Sequence, residues 1–149
     1  MCGIAGVWGK SREEIYLTQL INCMTDKISY RGPDARGSWV DLESGLVLGH
    51  RRLSVVDLSS EGAQPMVSSC GRYVVVFNGE IYNFPELYER LNNLGYFFRG
   101  RSDTEVLLSA ISEWGLEHAL ALCNGMFAIA AYCIGALTDE KVSLAKTLS

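Results

Sequence analysis

The sequence predicts a mixed α and β fold in which layered strands are covered by helices on both outer faces. Segments rich in β-branched and aromatic residues, such as 73–77, alternate with segments whose apolar residues recur at helical spacing. The segment 126–131 is apolar at every position, which predicts a strand that is covered on both sides. Strands of this kind favour a layered architecture with helices outside.

The chain is predicted to begin with a short strand and a helix. Residues 4–8 are apolar and flanked by glycines, and they predict a buried strand with Cys2 at its tip. Residues 11–14 have the Ser-x-x-Glu pattern of a capping box, and apolar residues follow at helical spacing to about Tyr30. The segment 31–34 is a predicted turn, because its proline disfavours helical geometry at the preceding residue.

Two strands are predicted next, at 37–41 and 46–50, and they are joined by a turn at 43–45. The second strand is predicted to continue to residue 57. Between 58 and 71 the composition changes to Ser, Gly, Gln and Pro, which indicates a surface loop.

The second half of the chain is predicted to contain two capped helices. The strand at 73–77 leads through Asn78-Gly79-Glu80 to a helix that is opened by Asn83 with Glu86 and closed by Gly95. Another capping box, at 102–105, opens a helix that ends at Gly115. The remaining predicted elements are a short helix at 116–122, a turn at 124–125, the strand at 126–131 and a last strand at 142–145.

Composition narrows the classes of function. The chain has 149 residues, of which 48% are hydrophobic and 20% charged, as is typical of one globular domain. A net charge of −4 argues against nucleic acid and an anionic membrane as partners. The five cysteines form no Cys-x-x-Cys pair, so we expect no disulfide framework, no metal site, and a reduced, cytoplasmic location. We expect no signal peptide, because no charged leader with an apolar segment precedes Cys2, and no apolar run is long enough to span a bilayer.

Cys2 is the first candidate for chemistry. Removal of Met1 would make Cys2 the amino terminus, with a thiol nucleophile and an α-amine base on one residue. An α-amine has a pKa of ~7.7–8.0 and a free thiol ~8.5, so proton transfer between them is inexpensive near neutral pH. Gly3 is expected to let a substrate approach the backbone closely. The alternative is that Cys2 is a small hydrophobic residue near the start of a strand.

Asn78-Gly79 is the second candidate. An Asn side-chain N–H beside a Gly backbone N–H can form an oxyanion hole, in which one donor contributes about 3–4 kcal/mol to an acyl-transfer transition state. The same dipeptide is typical of a type I′ hairpin turn. The helix predicted after Asn83 weakens the hairpin interpretation, because a hairpin requires a return strand.

Arg52 and Asp103 could together hold the two charged groups of an amino acid. Arg52 lies in an otherwise apolar segment and could bind a carboxylate in bidentate fashion, or extend along a strand edge to water. Asp103 lies in the first turn of a predicted helix, where the helix dipole favours its ionised form, and it could hold an ammonium group or only complement the dipole. A Cys-His dyad through His50 is the less favoured alternative, because a His after a strand is more often structural.

Six segments occur in the order of one enzyme family. They are residues 1–6, 31–34, 52–57, 62–66, 78–83 and 102–105, which read MCGIAG, RGPD, RLSVVD, GAQPM, NGEIYN and SDTE. Together they resemble the amino-terminal domain of glutamine-hydrolysing asparagine synthetase, a class II glutamine amidotransferase of the N-terminal-nucleophile hydrolase type. The versions at 52–57 and 78–83 favour asparagine synthetase over the phosphoribosyl-pyrophosphate and glucosamine-phosphate amidotransferases. The resemblance implies an α+β, four-layer αββα sandwich with antiparallel sheets.

The resemblance also implies a role for each site residue. Cys2 would be the nucleophile, with its α-amine as the base, and Asn78 and Gly79 would form the oxyanion hole. Arg52 would hold the α-carboxylate of glutamine, and Asp103, with help near Glu80, would hold the α-ammonium. The backbone of the segment from Arg52 to Val56 would line the pocket, through Leu53, Ser54, Val55 and Val56.

The implied reaction is hydrolysis of glutamine to glutamate and ammonia, for ATP-dependent synthesis of asparagine from aspartate. No cofactor is expected for the glutaminase step, and ATP and Mg²⁺ are expected only for a synthetase domain. The expected partners are glutamine and a synthetase domain in cis or in trans, and a homodimer is a further expectation.

The resemblance runs from Cys2 to about Tyr132. Residues 1–149 are therefore expected to be one glutaminase domain that is incomplete at its carboxyl end, with the last strands missing and the synthetase domain absent. Two alternatives stay open: the ammonia-supplying domain of another amidotransferase, and a non-catalytic truncated remnant.

Overall fold

The computed structural model describes residues 2–10, 13–54, 60–100, 102–135 and 142–147. The strands are β1 (Gly3–Trp8), β2 (Ala35–Asp41), β3 (Leu46–Arg52), β4 (Met66–Val67), β5 (Tyr73–Ile81), β6 (Gly125–Cys133) and β7 (Val142–Thr147). The helices are α1 (Glu14–Lys27), α2 (Phe84–Asn93), α3 (Asp103–Trp114) and α4 (Leu116–Leu122), and single 3₁₀ turns lie at Ser29–Arg31 and Ser60–Gly62.

The strands form two antiparallel sheets. The first sheet has the order β1-β3-β2 and the second the order β4-β5-β6-β7. Helix α1 packs on the outer face of the first sheet, where Leu17 and Ile21 contact Val47 of β3. Helices α2, α3 and α4 cover the outer face of the second sheet. The layers are therefore α, β, β and α, which confirms the expected sandwich.

The inner faces of the two sheets meet in an apolar cluster. Its buried members are Leu46, Leu48, Val74, Val76, Ala130 and Tyr132. Strand β6 shows the predicted cover on both sides, since Ala130 and Tyr132 point to the first sheet while Phe127, Ile129 and Ala131 point to the helices. Burial of a Leu, Ile, Val or Phe side chain contributes about 1.5–3 kcal/mol, so this core holds the layers together.

The ends of α1 differ from the prediction. Glu13 occupies the N-cap position and makes no side-chain cap hydrogen bond, and Ser11 of the predicted capping box lies outside the described residues. The helix ends at Lys27, and a 3₁₀ turn follows at Ser29–Arg31, where the sequence predicted helix to about Tyr30. The segment 31–34 that follows contacts the end of β3 through a hydrogen bond from the Asp34 N–H to the Arg52 carbonyl.

The capping box predicted at Asn83 does not form. Asn83 is the N-cap of α2, but its side chain donates to the Leu122 carbonyl at 2.9 Å and accepts from the Asn124 N–H at 2.8 Å. The Asn83 side chain therefore makes long-range hydrogen bonds in place of the local cap that the sequence pattern predicted. The other end of α2 agrees with the sequence, because Gly95 has a φ of +91° and closes the helix.

Half of the capping box predicted for α3 is present. The Ser102 hydroxyl accepts from the Thr104 N–H at 3.2 Å, as an N-cap serine does. Glu105 does not reach back to Ser102. Its carboxylate accepts instead from the N–H groups of Arg99 and Gly100, at 2.9 and 3.0 Å.

Strand boundaries were predicted less well than strand positions. Strand β3 ends at Arg52 and not at residue 57, because its partner β2 begins at Ala35, opposite Arg52. The predicted turn at 124–125 is wrong at its second residue, since Gly125 already pairs with Ile81 in the sheet. The loop predicted for 58–71 contains the second 3₁₀ turn and the two-residue strand β4. The expectation that the last strands of the domain are missing stays a prediction.

Candidate active site

One end of the sandwich holds a cleft of about 380 Å³. The start of β1, the end of β3, the end of β5 and the first turn of α3 meet there. Its lining contains seven of the predicted site residues, namely Cys2, Arg52, Leu53, Asn78, Gly79, Glu80 and Asp103. The lining also includes His50, Gly62, Gln64, Phe77, Tyr82, Ser102, Thr104 and Met126. The topology therefore brings together residues that are up to 124 positions apart in the chain.

The thiol of Cys2 lies against Leu53. The Leu53 N–H donates to Cys2 Sγ at 3.4 Å, and Sγ lies 3.8 Å from the Leu53 carbonyl oxygen. Arg31 Nε donates to the Cys2 carbonyl at 3.1 Å and holds the backbone in place. A Cβ on Gly3 would lie 2.9 Å from Cδ1 of Ile28, the end of a flexible side chain, and the approach of a substrate to this glycine stays a prediction.

The turn at 31–34 holds the segment that follows β3. The Asp34 N–H donates to the Arg52 carbonyl at 3.0 Å, and the Asp34 carboxylate accepts from the Ser54 N–H at 2.7 Å. A Cβ on Gly32 would lie 2.4 Å from backbone atoms of Arg51, so only glycine permits this approach. Arg52 and Leu53 line the cleft as a result.

Two of the predicted pocket residues, Val55 and Val56, lie outside the described residues. Ser54 is described, but it is not part of the lining, and its N–H is taken by Asp34. The predicted backbone lining from Arg52 to Val56 is therefore observed for its first two residues.

Asn78 and Gly79 lie inside β5 and not in a hairpin turn. They pair with Ala128 and Phe127 of β6, which rules out the type I′ alternative. Gly79 has a φ of +155°, and a Cβ there would lie 2.3 Å from the Met126 carbonyl oxygen. Asn78 Oδ1 is buried and has no hydrogen-bond partner within the described part of the chain. The strand therefore presents an amide oxygen with unused acceptor capacity beside a glycine that cannot be replaced without a clash.

Burial raises the pKa of Asp103, and the negative charge of Glu80 raises it further. Hydrogen bonds from the N–H groups of Ile81, at 3.2 Å, and Thr104 act in the opposite direction but do not compensate. The N–H groups at the start of the helix therefore favour the ionised form, as predicted, but burial outweighs them and the net shift of the pKa is upward. A cation bound beside Asp103 would lower this pKa.

His50 is buried, with 1% of its surface exposed. Burial lowers its pKa to about 4, and the nearby charge of Arg52 lowers it too, so the ring is neutral at pH 7. Its ring is hydrogen-bonded to the Phe77 backbone, whereas Nε2 has no partner among the described residues. The described hydrogen bonds of the Cys2 thiol go to Leu53, so the geometry does not favour a Cys-His dyad.

The thiol of Cys123 is poorly suited to nucleophilic chemistry. All five cysteines are free. Cys123 is near the site, but burial and the charge of Asp103 raise its pKa to about 11. Across the described ranges, no group of three or more His, Cys, Asp or Glu side chains is arranged to hold a metal ion. None of the described helices has the length and apolar character that crossing a membrane requires.

Gln64 and Thr104 are cleft residues to which the sequence assigned no role. Gln64 Oε1 accepts from the Phe77 N–H at 2.6 Å, and Gln64 Nε2 donates to Thr104 Oγ1 at 3.2 Å. Both residues belong to segments that carried the family resemblance, 62–66 and 102–105. Those two segments could have indicated that Gln64 and Thr104 matter for the site. The hydrogen-bond partners of Gln64, however, are defined only by the folded structure.

An antiparallel αββα sandwich, with a cysteine at the second position facing a cleft, is an arrangement typical of hydrolases of the N-terminal-nucleophile class. Residues 1–145 match the family described as a glutamine amidotransferase domain, and the chain belongs to that family. A solved structure of glutamine phosphoribosylpyrophosphate amidotransferase from B. subtilis superposes with a TM-score of 0.72 over 87% of this chain and 35% of that chain. Its sequence identity is 21%, so this similarity supports the fold alone.

Several curated relatives are asparagine synthetases. The chain is 38% identical over 146 residues to asparagine synthetase [glutamine-hydrolyzing] 3 of Bacillus subtilis, covering 97% of this chain and 22% of the relative. It is 42% identical over 130 residues to asparagine synthetase [glutamine-hydrolyzing] 1 of the same organism, covering 86% of this chain and 20% of the relative. The chain therefore spans about a fifth of the length of these relatives.

Proposed function

We propose that this domain hydrolyses glutamine to glutamate and ammonia, with Cys2 as the nucleophile. The observation that carries the proposal is the convergence of a thiol, an Asn-Gly pair, an arginine and a carboxylate on one cleft. Glutamine carries an amide, a carboxylate and an ammonium group, and each has a chemical counterpart in that set. The cleft volume of about 380 Å³ lies within the range typical of small-molecule sites.

The charged end of glutamine is held by Arg52 and Asp103. The guanidinium of Arg52 donates two parallel hydrogen bonds to the α-carboxylate. The α-ammonium binds beside Asp103, and its positive charge acts against the burial that raises the pKa of Asp103. Glu80 adds a second negative charge near the same position. The backbone of residues 53–56 forms the adjacent wall.

The first half of the reaction is acyl transfer to sulfur. With Met1 removed, the α-amine of Cys2 takes the thiol proton, and the sulfur forms a bond to the side-chain amide carbon of glutamine. The Leu53 N–H, 3.4 Å from Sγ, stabilises the developing thiolate. Asn78 Nδ2 and the Gly79 N–H donate to the oxyanion. The C–N bond then breaks as the α-ammonium of Cys2 protonates the leaving nitrogen, and ammonia departs.

The second half of the reaction is hydrolysis of the thioester. The α-amine of Cys2 removes a proton from water, and the resulting hydroxide attacks the same carbon. Collapse of the second tetrahedral intermediate breaks the C–S bond, glutamate leaves, and the sulfur is reprotonated by the α-ammonium. His50 takes no proton in this scheme, because a group with a pKa of about 4 is a weak base at pH 7.

The ammonia is used, in our proposal, to convert aspartate to asparagine. The identities of 38% and 42% to two asparagine synthetases support this destination over other acceptors. ATP and Mg²⁺ would act in a synthetase domain, in cis or in trans, and not in the cleft described above. With such a domain supplied, nitrogen from amide-labelled glutamine is expected in the side-chain amide of asparagine. Label found only in free ammonium would overturn that destination.

Glutamate release by the chain is the direct test of the glutaminase proposal. Intact mass spectrometry first identifies the fraction of chains that lack Met1. That fraction is expected to release glutamate from glutamine and to bind one molecule of 6-diazo-5-oxo-norleucine, a glutamine-like electrophile, at Cys2. The Cys2→Ala variant should do neither.

Cys23→Ala is the matched control, because it removes an exposed thiol on α1, away from the cleft. It should behave as the parent chain does. A folded chain without Met1 that neither releases glutamate nor reacts at Cys2 would overturn the proposal and favour a non-catalytic interaction module.

A further inference from the structure

Gln64 joins the two elements that carry opposite ends of the proposed glutamine site. Its side chain is almost completely buried, with 9% exposure. Its Oε1 accepts from the N–H of Phe77, which directly precedes Asn78, and its Nε2 donates to Oγ1 of Thr104, which directly follows Asp103. One planar amide therefore spans from the oxyanion strand β5 to the first turn of α3.

A glutamine is well suited to this position because its amide both accepts and donates. Strand β4 pairs with β5 only at Met66↔Val75 and Val67↔Val74, so the Phe77 N–H lies beyond the last backbone pair. The Gln64 side chain supplies the acceptor that a longer β4 would have supplied. An unpaired N–H at this buried position would carry the desolvation penalty of an unsatisfied donor.

The backbone of Gln64 is also held from the first sheet. A Cβ on Gly37 of β2 would lie 2.0 Å from the Gln64 carbonyl oxygen, so the two backbones are in close contact. The N–H of Ile81 donates to Asp103 at 3.2 Å and forms a second link between β5 and α3. The Gln64 and Ile81 links lie on either side of the segment 78–80. That segment is thereby held at a set distance from Asp103.

We propose that Gln64 is a positioning residue for glutamine hydrolysis. It fixes the separation between the Asn78-Gly79 oxyanion hole and Asp103, so that one glutamine engages both ends of the site at once. This inference rests on the proposed glutaminase function. Gln64 does not contact the Cys2 thiol in the described geometry, so its loss should impair reactions that need an aligned glutamine and spare reactions that need only the thiol.

The test compares two electrophiles and glutamine itself. Gln64→Met keeps the length of the side chain and removes both hydrogen bonds, whereas Thr104→Val removes only the bond to α3. In Gln64→Met we expect kcat/KM for glutamine to fall by about 10–100-fold, the loss that small misplacements of a bound substrate produce. Labelling by 6-diazo-5-oxo-norleucine should slow in parallel. Labelling of Cys2 by iodoacetamide should change less than about twofold, since it needs no amino-acid binding.

Amide hydrogen exchange measured by NMR provides a readout that does not depend on turnover. The Phe77 N–H should exchange faster in Gln64→Met than in the parent chain and in Thr104→Val. Gln19→Met is the matched control, because Gln19 is exposed on α1, on the other side of the sandwich. It should leave turnover, labelling and exchange unchanged.

The outcomes separate this inference from the function on which it rests. A parent chain that lacks Met1 and hydrolyses no glutamine overturns the proposed function. An active parent with an equally active, folded Gln64→Met variant overturns the positioning role alone. Equal slowing of iodoacetamide and glutamine in Gln64→Met also overturns it, because the residue would then act on the thiol or on the fold in general.

Discussion

Replacement of Gly79 by alanine should damage both the second sheet and the proposed oxyanion hole. The added Cβ would lie 2.3 Å from the Met126 carbonyl oxygen and 2.4 Å from Cα and Cβ of Phe127. Two of these three atoms belong to the backbone of β6, which is paired with β5 over nine residue pairs. The neighbour cannot rotate away as the end of a flexible side chain could, so the strands must separate locally.

The magnitude follows from two contributions. Overpacking of a tight contact costs about 1–3 kcal/mol, and an L residue at a φ of +155° adds about 1–3 kcal/mol. The free energy of unfolding should therefore fall by about 2–6 kcal/mol. For a domain of this size, each kcal/mol corresponds to about 2–4 °C, so Tm should fall by roughly 5–20 °C. Displacement of the Gly79 N–H should also cost about 10²–10³-fold in kcat, the effect of losing one oxyanion donor.

Thermal unfolding and glutamate release measure the two effects. Gly9→Ala is the matched control, since a Cβ on Gly9 meets no atom within 4 Å and should change Tm by less than about 2 °C. A Gly79→Ala variant with the Tm of Gly9→Ala would refute the packing argument. A Gly79→Ala variant with a lowered Tm but an unchanged kcat, measured at a temperature where it is folded, would refute the assignment of the Gly79 N–H to the oxyanion hole.

Three further predictions concern charge and anchoring. Because burial raises the pKa of Asp103, the contribution of this carboxyl to stability falls as pH rises from 3.8 through the raised pKa. Asp103→Asn should therefore raise Tm at pH 7, while KM for glutamine rises about 10–100-fold. A lowered Tm with an unchanged KM would contradict both roles of Asp103. Burial lowers the pKa of His50 from 6.5 to about 4, so its contribution to the free energy of unfolding is present above pH 6.5 and is lost as pH falls towards 4, by about 3 kcal/mol in total. His50→Gln should therefore make Tm less dependent on pH over that interval. An unchanged slope of Tm against pH would be inconsistent with a buried neutral ring. Asn83→Ala removes the two hydrogen bonds to Leu122 and Asn124 and should lower the free energy of unfolding, measured by denaturant titration, by about 1–3 kcal/mol. A loss near 0.5 kcal/mol would match an ordinary exposed site and contradict the anchoring role.

Local pattern was sufficient for most elements of the fold. The short helix predicted at 116–122 is observed as Leu116–Leu122, and Gly115, with a φ of +79°, closes α3 as predicted. Periodicity and terminal glycines are properties of neighbouring residues, so they can be identified before the chain folds. The sequence also indicated the residues that meet at the cleft, because six separate segments resemble one family in the same order.

Contacts between distant residues limited the prediction. Asn83 and Glu105 each matched a capping box, yet neither side chain completes one, since each finds partners outside its own helix. The end of β3 was misplaced because the start of β2 determines where the ladder ends. None of these partners lies within the local sequence pattern that a capping or strand prediction examines.

The sequence by itself determined the class of fold, the family and the set of candidate groups, with Cys2 first among them. These depend on residue type, order and local spacing. The tertiary structure decided how the groups are tuned and held. Burial reversed the expected direction of the Asp103 pKa, and Gln64 acquired partners 13 and 40 positions away. Desolvation and long-range hydrogen bonds arise only when packing excludes water and brings distant segments together, and no local pattern records them.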